Sequence, residues 1–534
     1  MYKRISLAFF SLSVVFGVLI SNLGVIVFNA KNSPASQNRS RKSLTISTSR
    51  GMIYDTDMKK IVNREQNLLT VCLPSTSVLN SVKEYLTEDE TEALYENMTN
   101  GKISILQLPK KFYENQIKSV SVVNRYESSQ HCVHLIGHLD ESGNGAMGLE
   151  KAYNDFLELN KGELKAVWNC DAIGNILWGE GINFESSNYT SAAGIQLTID
   201  LEIQNIAEEA LLNNGIDKGA VVILNSDTNE TLAMASVPVF NPDNISLSLE
   251  NTDSPFLNRA ITPYSIGSVF KPFVACCAME NNIDFTYNCT GSILIGKTVF
   301  KCSNNVAHGN VNMDTAMQYS CNTYFIALGQ KIGVESLLST CEYFGLGKSM
   351  ELADNYYIKS GVLPHKETVN SPQALANLSF GQGELLATPL HLAVAYSCFA
   401  NGGYYQPPTL MKAIIDENGN AIQKVALPQK YMILNKSTIN RIDKILKNVV
   451  YKGNGIEASS TITENHGKTA TAQSGWYENG KEINHTWFCG YFSDGSTTYT
   501  VVIFKDDGQS GATDCAPVFK EISEKIFQNK SSKN

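Results

Sequence analysis

Three short motifs in fixed order carry side chains suited to acyl transfer: Ser268-Val269-Phe270-Lys271, Ser320-Cys321-Asn322 and Lys468-Thr469-Ala470. A serine hydroxyl is a poor nucleophile until a base takes its proton, and the base within reach here is lysine rather than histidine. A lysine can accept that proton only when neutral. Burial and a neighbouring cation both push it towards the neutral form, and Lys468 is the candidate for that second cation. Each string alone arises by chance and reads equally well as a capped helix, a polar turn or a charged edge strand. The three together, in this order, are the parts of a serine acyltransferase.

Local structure says how each part is positioned. Ser268 to Met279 reads as a helix, and Pro272 is tolerated only in a first turn. Ser268 therefore belongs at the helix N-terminus, where unpaired N–H groups and the helix dipole favour an oxyanion. Lys271, three residues on, shares its face. Ser320-Cys321-Asn322 sits at a turn before apolar Tyr324, Phe325, Ile326 and Leu328. Ser320 can pass a proton to a leaving amine, and Asn322 can both donate to and accept from an amide. Cys321 is expected to point into the core. His466 to Thr471 reads as an edge strand, with Lys468 and Ala470 on one face and Thr469 and Thr471 on the other. Lys468 and the two threonine hydroxyls are candidates to hold a substrate carboxylate. The backbone N–H groups of Thr471 and Ser268 are candidates for an oxyanion hole.

The surrounding chain must build that geometry. Its 534 residues are 43% hydrophobic and 18% charged, an ordinary globular composition with room for two or three domains. A net charge of -9 argues against a nucleic-acid partner. Ile5 to Ala30 carries no charge and is long enough to cross a bilayer. It is long for a signal segment and has no clean cleavage site after it, so it is expected to be an uncleaved anchor. Lys3 and Arg4 precede this span while Lys31, Arg39, Arg41 and Lys42 follow it. Charge alone therefore does not place the bulk of the chain outside the cytoplasm; the chemistry does.

The expected organisation is a short tail and anchor over 1–30, a linker over 31–49, a membrane-proximal domain over 50–187 and a catalytic domain over 188–530. In the last of these, Gly194 to Asp200 reads as a strand ending in a helix cap. A helix with Ile203, Ile206, Ala207, Ala210 and Leu211 on its apolar face follows. Strands are expected over Lys218–Asn225, Thr231–Ser236, Thr486–Phe492 and Thr498–Phe504, and a closing helix over Ala516–Phe527. That order predicts an α+β fold, an antiparallel sheet with helices packed on it.

All twelve cysteines lie beyond the span, the first being Cys72, which argues against a lipid-modified N-terminal cysteine. Vicinal Cys276 and Cys277 read as buried thiols. Cys289, Cys302, His308 and Cys321 cluster within a short stretch, and thiolate and imidazole suit zinc. Their spacings match no standard zinc module. A Cys289–Cys302 disulfide and plain reduced thiols stay open beside zinc, so no metal ligand and no cofactor is assigned.

At these residues the chain resembles the class B penicillin-binding proteins, the cell-wall D,D-transpeptidases of bacteria. The resemblance runs from about Ser49 to Phe527. It includes Arg50-Gly51-Met52-Ile53-Tyr54-Asp55 and Gly148-Leu149-Glu150 in the first region. It continues with Phe380-Gly381-Gln382-Gly383, Thr388-Pro389, and Trp487-Phe488 with Gly490 in the second. It implies a penicillin-binding/β-lactamase-like transpeptidase domain on a membrane-proximal pedestal. Ser268 would be the acylated nucleophile, Lys271 its base and Ser320 a proton relay. Asn322 would bind the donor, Lys468 would polarise the site, and Thr469 and Thr471 would grip the terminal carboxylate. The donor would be a peptidoglycan stem peptide ending in D-Ala-D-Ala, and β-lactams would mimic it. The resemblance also implies a single-pass protein of the cell membrane with its catalytic domain outside the cytoplasm. A separate membrane glycan polymerase would be its partner, since no glycosyltransferase motif is present. One departure stands out: Ala470 replaces the family's usual glycine, which is expected to narrow the cleft and alter β-lactam acylation.

Two other classes are consistent with fewer of these residues. A D,D-carboxypeptidase or β-lactamase needs an efficient deacylating base. The E-x-x-L-N string Glu209–Asn213 precedes Ser268 rather than following the second motif. A non-catalytic penicillin- or wall-peptide-binding protein would be expected to have lost a catalytic side chain, yet both lysines and both serines are present.

Overall fold

Asp200 accepts the backbone N–H groups of Glu202 and Ile203, and this cap starts helix α1 (Leu201–Asn213). The helix buries Ile203, Ile206, Ala207, Ala210 and Leu211, the apolar stripe read from the sequence. The computed structural model describes residues 2–32, 41–171, 173–478 and 480–533.

After α1 come strands β1 (Gly219–Asn225) and β2 (Thr231–Val237), helix α2 (Lys271–Glu280), α3 (Asn322–Ile332) and α4 (Pro389–Ala400). Helix α5 (Lys436–Lys452) follows, then β3 (His466–Glu478), β4 (Lys481–Ser493), β5 (Thr498–Lys505) and α6 (Ala516–Lys533). The five strands form one antiparallel sheet in the order β2-β1-β5-β4-β3. It is the expected sheet, with β3 on its edge.

Side chains alternate between two cores across this sheet. On one face Val221, Ile223, Phe488, Val501 and Ile503 pack with α1 and α6 through Ile206, Phe519 and Ile522. On the other, Ala220, Val222, Trp487, Cys489, Val502 and Phe504 share a core with Phe273 of α2, Phe325 of α3 and Tyr396 of α4. Helix α4 lies against β1, β4 and β5, and eleven of its residues are buried. A helix apolar all round is a core helix.

Chain contacts divide the described residues into two units. The larger comprises residues 51–62, 126–159 and 192–534. Two segments from within the expected 50–187 domain thus pack with the catalytic residues' own unit. Met52–Tyr54 pairs in parallel with Gly194–Leu197, and Gly51 passes the backbone of Leu157 so closely that a Cβ there would sit 3.1 Å from its Cα. The smaller unit comprises residues 1–50, 63–125 and 160–191. It has a three-stranded and a four-stranded sheet, the latter covered by helices Thr76–Val82 and Glu88–Thr99 through Val78, Val82 and Leu94.

Of the expected linker over 31–49, residues 33–40 lie outside the described residues. Arg41–Ser49 is a strand paired with Gly162–Asn169. Its polar composition hid that pairing, but Ile46 packs against Leu164 and Tyr189. The expected anchor lies in helix Tyr2–Asn32, whose Ile5–Phe28 stretch has no residue buried.

Candidate active site

Ser268 lies in a single 3-10 turn, Gly267–Phe270, that runs directly into α2. Pro272 occupies the first turn of α2, where its missing N–H is harmless. Gly267, Val269 and Phe270 are buried, whereas Ser268 is only half-buried. The turn is clamped from three directions. The Tyr396 hydroxyl of α4 donates to the Val269 carbonyl at 2.8 Å. Gly267 N–H donates to Gly381 O at 2.9 Å. The Trp487 indole of β4 donates to Ser265 O at 3.0 Å. Gly381 has φ +82°, and a Cβ there would stand 1.9 Å from the Gly267 carbonyl oxygen. Only glycine permits that approach.

The structure brings Lys271, Ser320, Asn322 and Lys468 together. Lys271 Nζ donates to Ser320 O (2.7 Å), Ser320 Oγ (3.0 Å) and Asn322 Oδ1 (2.7 Å). Lys468 Nζ reaches the same Ser320 Oγ at 3.1 Å and its neighbour's carbonyl, Thr469 O, at 2.9 Å. Both lysines are wholly buried. Burial pulls the Lys271 ammonium down to about 7. It pulls Lys468 well below the usual lysine range, and the charge of Lys271 adds to that. Two ammonium groups on one hydroxyl repel by a few kcal/mol, so the network is stable with one proton fewer. The Ser320 hydroxyl can then donate to the neutral amine while accepting from the charged one.

Ser320 is held at φ +55°, a left-handed conformation that costs a non-glycine residue about 1 kcal/mol or more. Asn322 begins α3 and also donates through Nδ2 to Lys301 O at 3.0 Å. Cys321 between them is buried, as expected. Among the described residues the Ser268 hydroxyl makes no hydrogen bond, so it is free to meet a substrate.

Thr469 and Thr471 occupy the alternate face of β3. Thr469 pairs with Phe488 and Thr471 with Thr486, and Phe488 belongs to the core of α1 and α6. Thr471 is exposed, and its Oγ1 accepts from Gly511 N–H at 3.4 Å. Among the described residues neither threonine hydroxyl is bonded to Ser268, Ser320 or either lysine. Ala470 is 3% exposed and pairs with Trp487 in the core that also holds Val269 and Phe270. Its methyl thus packs into that wall rather than projecting freely into the cleft. Glu209 of the E-x-x-L-N string pairs with Lys525 of α6 at 3.2 Å, away from this network. The clamps made by Tyr396 and Lys301 escaped sequence reading, since neither residue stands in a motif; Gly381 stood in one, but without a role.

Comparison with known proteins decides between the acyl-transfer classes. Residues 219–524 match the family model described as "Penicillin binding protein transpeptidase domain", which is more than half the chain. The chain belongs to the penicillin-binding protein transpeptidase family. Stage V sporulation protein D of Bacillus subtilis (strain 168) is 26% identical over 552 residues, covering 95% of this chain and 83% of that protein. The peptidoglycan D,D-transpeptidase MrdA of Haemophilus influenzae is 24% identical, covering 97% of this chain and 91% of its own. Among solved structures, a chain of a peptidoglycan synthase complex coordinating polymerization and crosslinking superposes with a TM-score of 0.70 at 22% identity. That match covers 97% of this chain and 98% of the other. This transpeptidase has the penicillin-binding fold, and its reaction class is serine-type acyl transfer.

Proposed function

We propose that Ser268 is the acylated nucleophile of a peptidoglycan D,D-transpeptidase, with Lys271 as its base. The observation that carries this assignment is the convergence of two buried lysines on the Ser320 hydroxyl, one of them Lys271, three residues after half-buried Ser268 at the start of α2. Neutral Lys271 takes the Ser268 proton as Oγ attacks the penultimate D-Ala carbonyl of a stem peptide. The oxyanion is received by the N–H groups of Ser268 and Thr471. Ser320, polarised by Lys468, relays the proton now on Lys271 to the departing terminal D-Ala amine. An amine of a neighbouring strand then takes the acyl group and releases Ser268.

Asn322 presents its amide to the donor backbone. Thr469 and Thr471 serve the donor carboxylate, Thr469 from a buried position and exposed Thr471 after leaving its contact with Gly511. β-Lactams acylate the same serine. The apolar stretch Ile5–Phe28 anchors the chain in the cell membrane with the catalytic unit outside the cytoplasm, where stem peptides are. The smaller unit serves as pedestal, and a membrane glycan polymerase is the partner. The peptidoglycan synthase complex with which this fold superposes supports that pairing.

The test is acyl transfer from a D-Ala-D-Ala donor peptide to an added D-amino acid by the full-length protein in detergent. Exchange of the terminal D-Ala that vanishes in Ser268→Ala is expected. Hydrolysis without exchange would replace the transpeptidase by a carboxypeptidase.

A further inference from the structure

The segment after α2 has almost no apolar core of its own. It runs as strands Tyr287–Cys289, Ser292–Ile295, Thr298–Lys301 and Gly309–Val311. From residue 284 to residue 310 the only buried residues are Cys289, Gly291 and Cys302. Leu294, Val299 and Val306 are exposed. Phe285 and Tyr287 lean on the main core, but a stretch that buries so little calls for a cross-link or a metal besides packing.

Its two buried side chains meet two others. Cys289 Sγ lies 3.7 Å from Cys302 Sγ and 3.3 Å from His308 Nδ1, and Cys302 Sγ lies 3.8 Å from Cys321 Sγ. All four ligating atoms lie within 4.8 Å of one another. A tetrahedral zinc ion, with Zn–S of about 2.3 Å and Zn–N of about 2.0 Å, sets its ligand atoms about 3.8 Å apart for S···S and about 3.5 Å for S···N. A Cys289–Cys302 disulfide would use two of these groups and leave the approach of Cys321 and His308 without a cause. All twelve cysteines are free thiols.

We propose that Cys289 Sγ, Cys302 Sγ, His308 Nδ1 and Cys321 Sγ form a closed structural zinc site that pins the segment to the Ser320-Cys321-Asn322 turn. The surroundings fit a thiolate site. The Thr323 hydroxyl donates to Cys289 Sγ at 3.1 Å, and the Tyr319 ring stacks on His308 with centroids 5.5 Å apart. Cys321 stands between the two side chains that accept from Lys271. Cys302 follows Lys301, whose carbonyl accepts from Asn322. A metal on both cysteines fixes Asn322 from two sides and braces the left-handed Ser320. Cys321 is thus a positioning residue for the acyl transfer proposed above; zinc binding itself does not depend on that reading.

The experiment uses the full-length protein purified in detergent under reducing conditions. Elemental analysis is expected to give about one zinc per chain. After chelation, cobalt(II) should restore thiolate charge-transfer bands and tetrahedral ligand-field bands. Cys302→Ser should reduce zinc content to about a tenth or less, whereas Cys341→Ser, a buried thiol outside the cluster, should retain it. Should Cys302→Ser fail to fold, His308→Ala replaces it, because His308 is only half-buried. Ser268→Ala should hold its full zinc, which separates this site from the catalytic reading. A folded protein that takes up neither zinc nor cobalt, or a Cys289–Cys302 disulfide in the peptide map, would overturn the site. For the positioning role, zinc-stripped protein should be labelled by a fluorescent penicillin about tenfold more slowly and recover on adding zinc. An unchanged rate would overturn that role.

Discussion

The turn that carries Ser268 and the segment that follows α2 are built in opposite ways. Gly267–Phe270 is surrounded by apolar side chains and held by hydrogen bonds with Tyr396 and Gly381, and Trp487 holds Ser265 just before it. Residues 284–310 have two buried cysteines and little else. Yet both supply the same constellation, Ser268 from the first with Lys271 directly after it, the Lys301 anchor of Asn322 from the second. On the mechanism and the zinc site proposed above, packing fixes Ser268 and Lys271, while coordination fixes Ser320 and Asn322. The two halves should therefore fail under different treatments.

The largest effect separates chemistry from scaffold. Ser268→Ala should lower donor turnover by about 10⁴-fold or more with an unchanged melting temperature. Lys271→Ala should cost about 10²- to 10⁴-fold in acylation rate. Its pH profile tells more. Burial lowers the Lys271 ammonium to about 7, so the base is neutral above that pH and charged below it. Acylation should rise with pH through about 7 and then level off. A rate that climbs steadily towards pH 10 would mean an unperturbed lysine.

Next comes the clamp behind Ser268. Gly381→Ala must push Gly267 away, because its Cβ would lie 1.9 Å from the Gly267 oxygen. A displacement of about 1 Å costs about 10²-fold. Stopped-flow acylation at saturating β-lactam should show that loss, and zinc content should stay full. Chelation tests the other half: hydrogen exchange should quicken across 284–310 while the amides of 267–280 stay protected. Equal quickening in both regions would erase the contrast between them.

The smallest effect is at Ala470. Its methyl is buried in the wall beside Trp487, so Ala470→Gly should change β-lactam acylation by only about two- to fivefold. Equal rates would show that the departure from glycine is silent.

The motifs were legible because each names a residue type and a spacing that local structure turns into a position. Pro272 set Ser268 at a helix start, and alternation along β3 put Lys468 and Ala470 on one face. Asp200 announced α1 as a cap. The joins between distant segments were not legible. Nothing in Gly51 or Gly381 names the backbone it passes, since a glycine records the need for room but not the neighbour. The strand Arg41–Ser49 was hidden by polar residues on an edge, and residues 51–62 and 126–159 pack with the larger unit through contacts far away in sequence. The four metal-type residues were visible as types, but their convergence depends on a turn at Ser320 that no propensity fixes.

The most direct test of the central claim, that Ser268 is the acylated serine, is peptide mapping of the full-length protein after brief exposure to penicillin. A single, slowly hydrolysed penicilloyl adduct on the peptide carrying Ser268 is expected, absent from Ser268→Ala. An adduct on Ser320 or another residue, or none on folded protein, would contradict it.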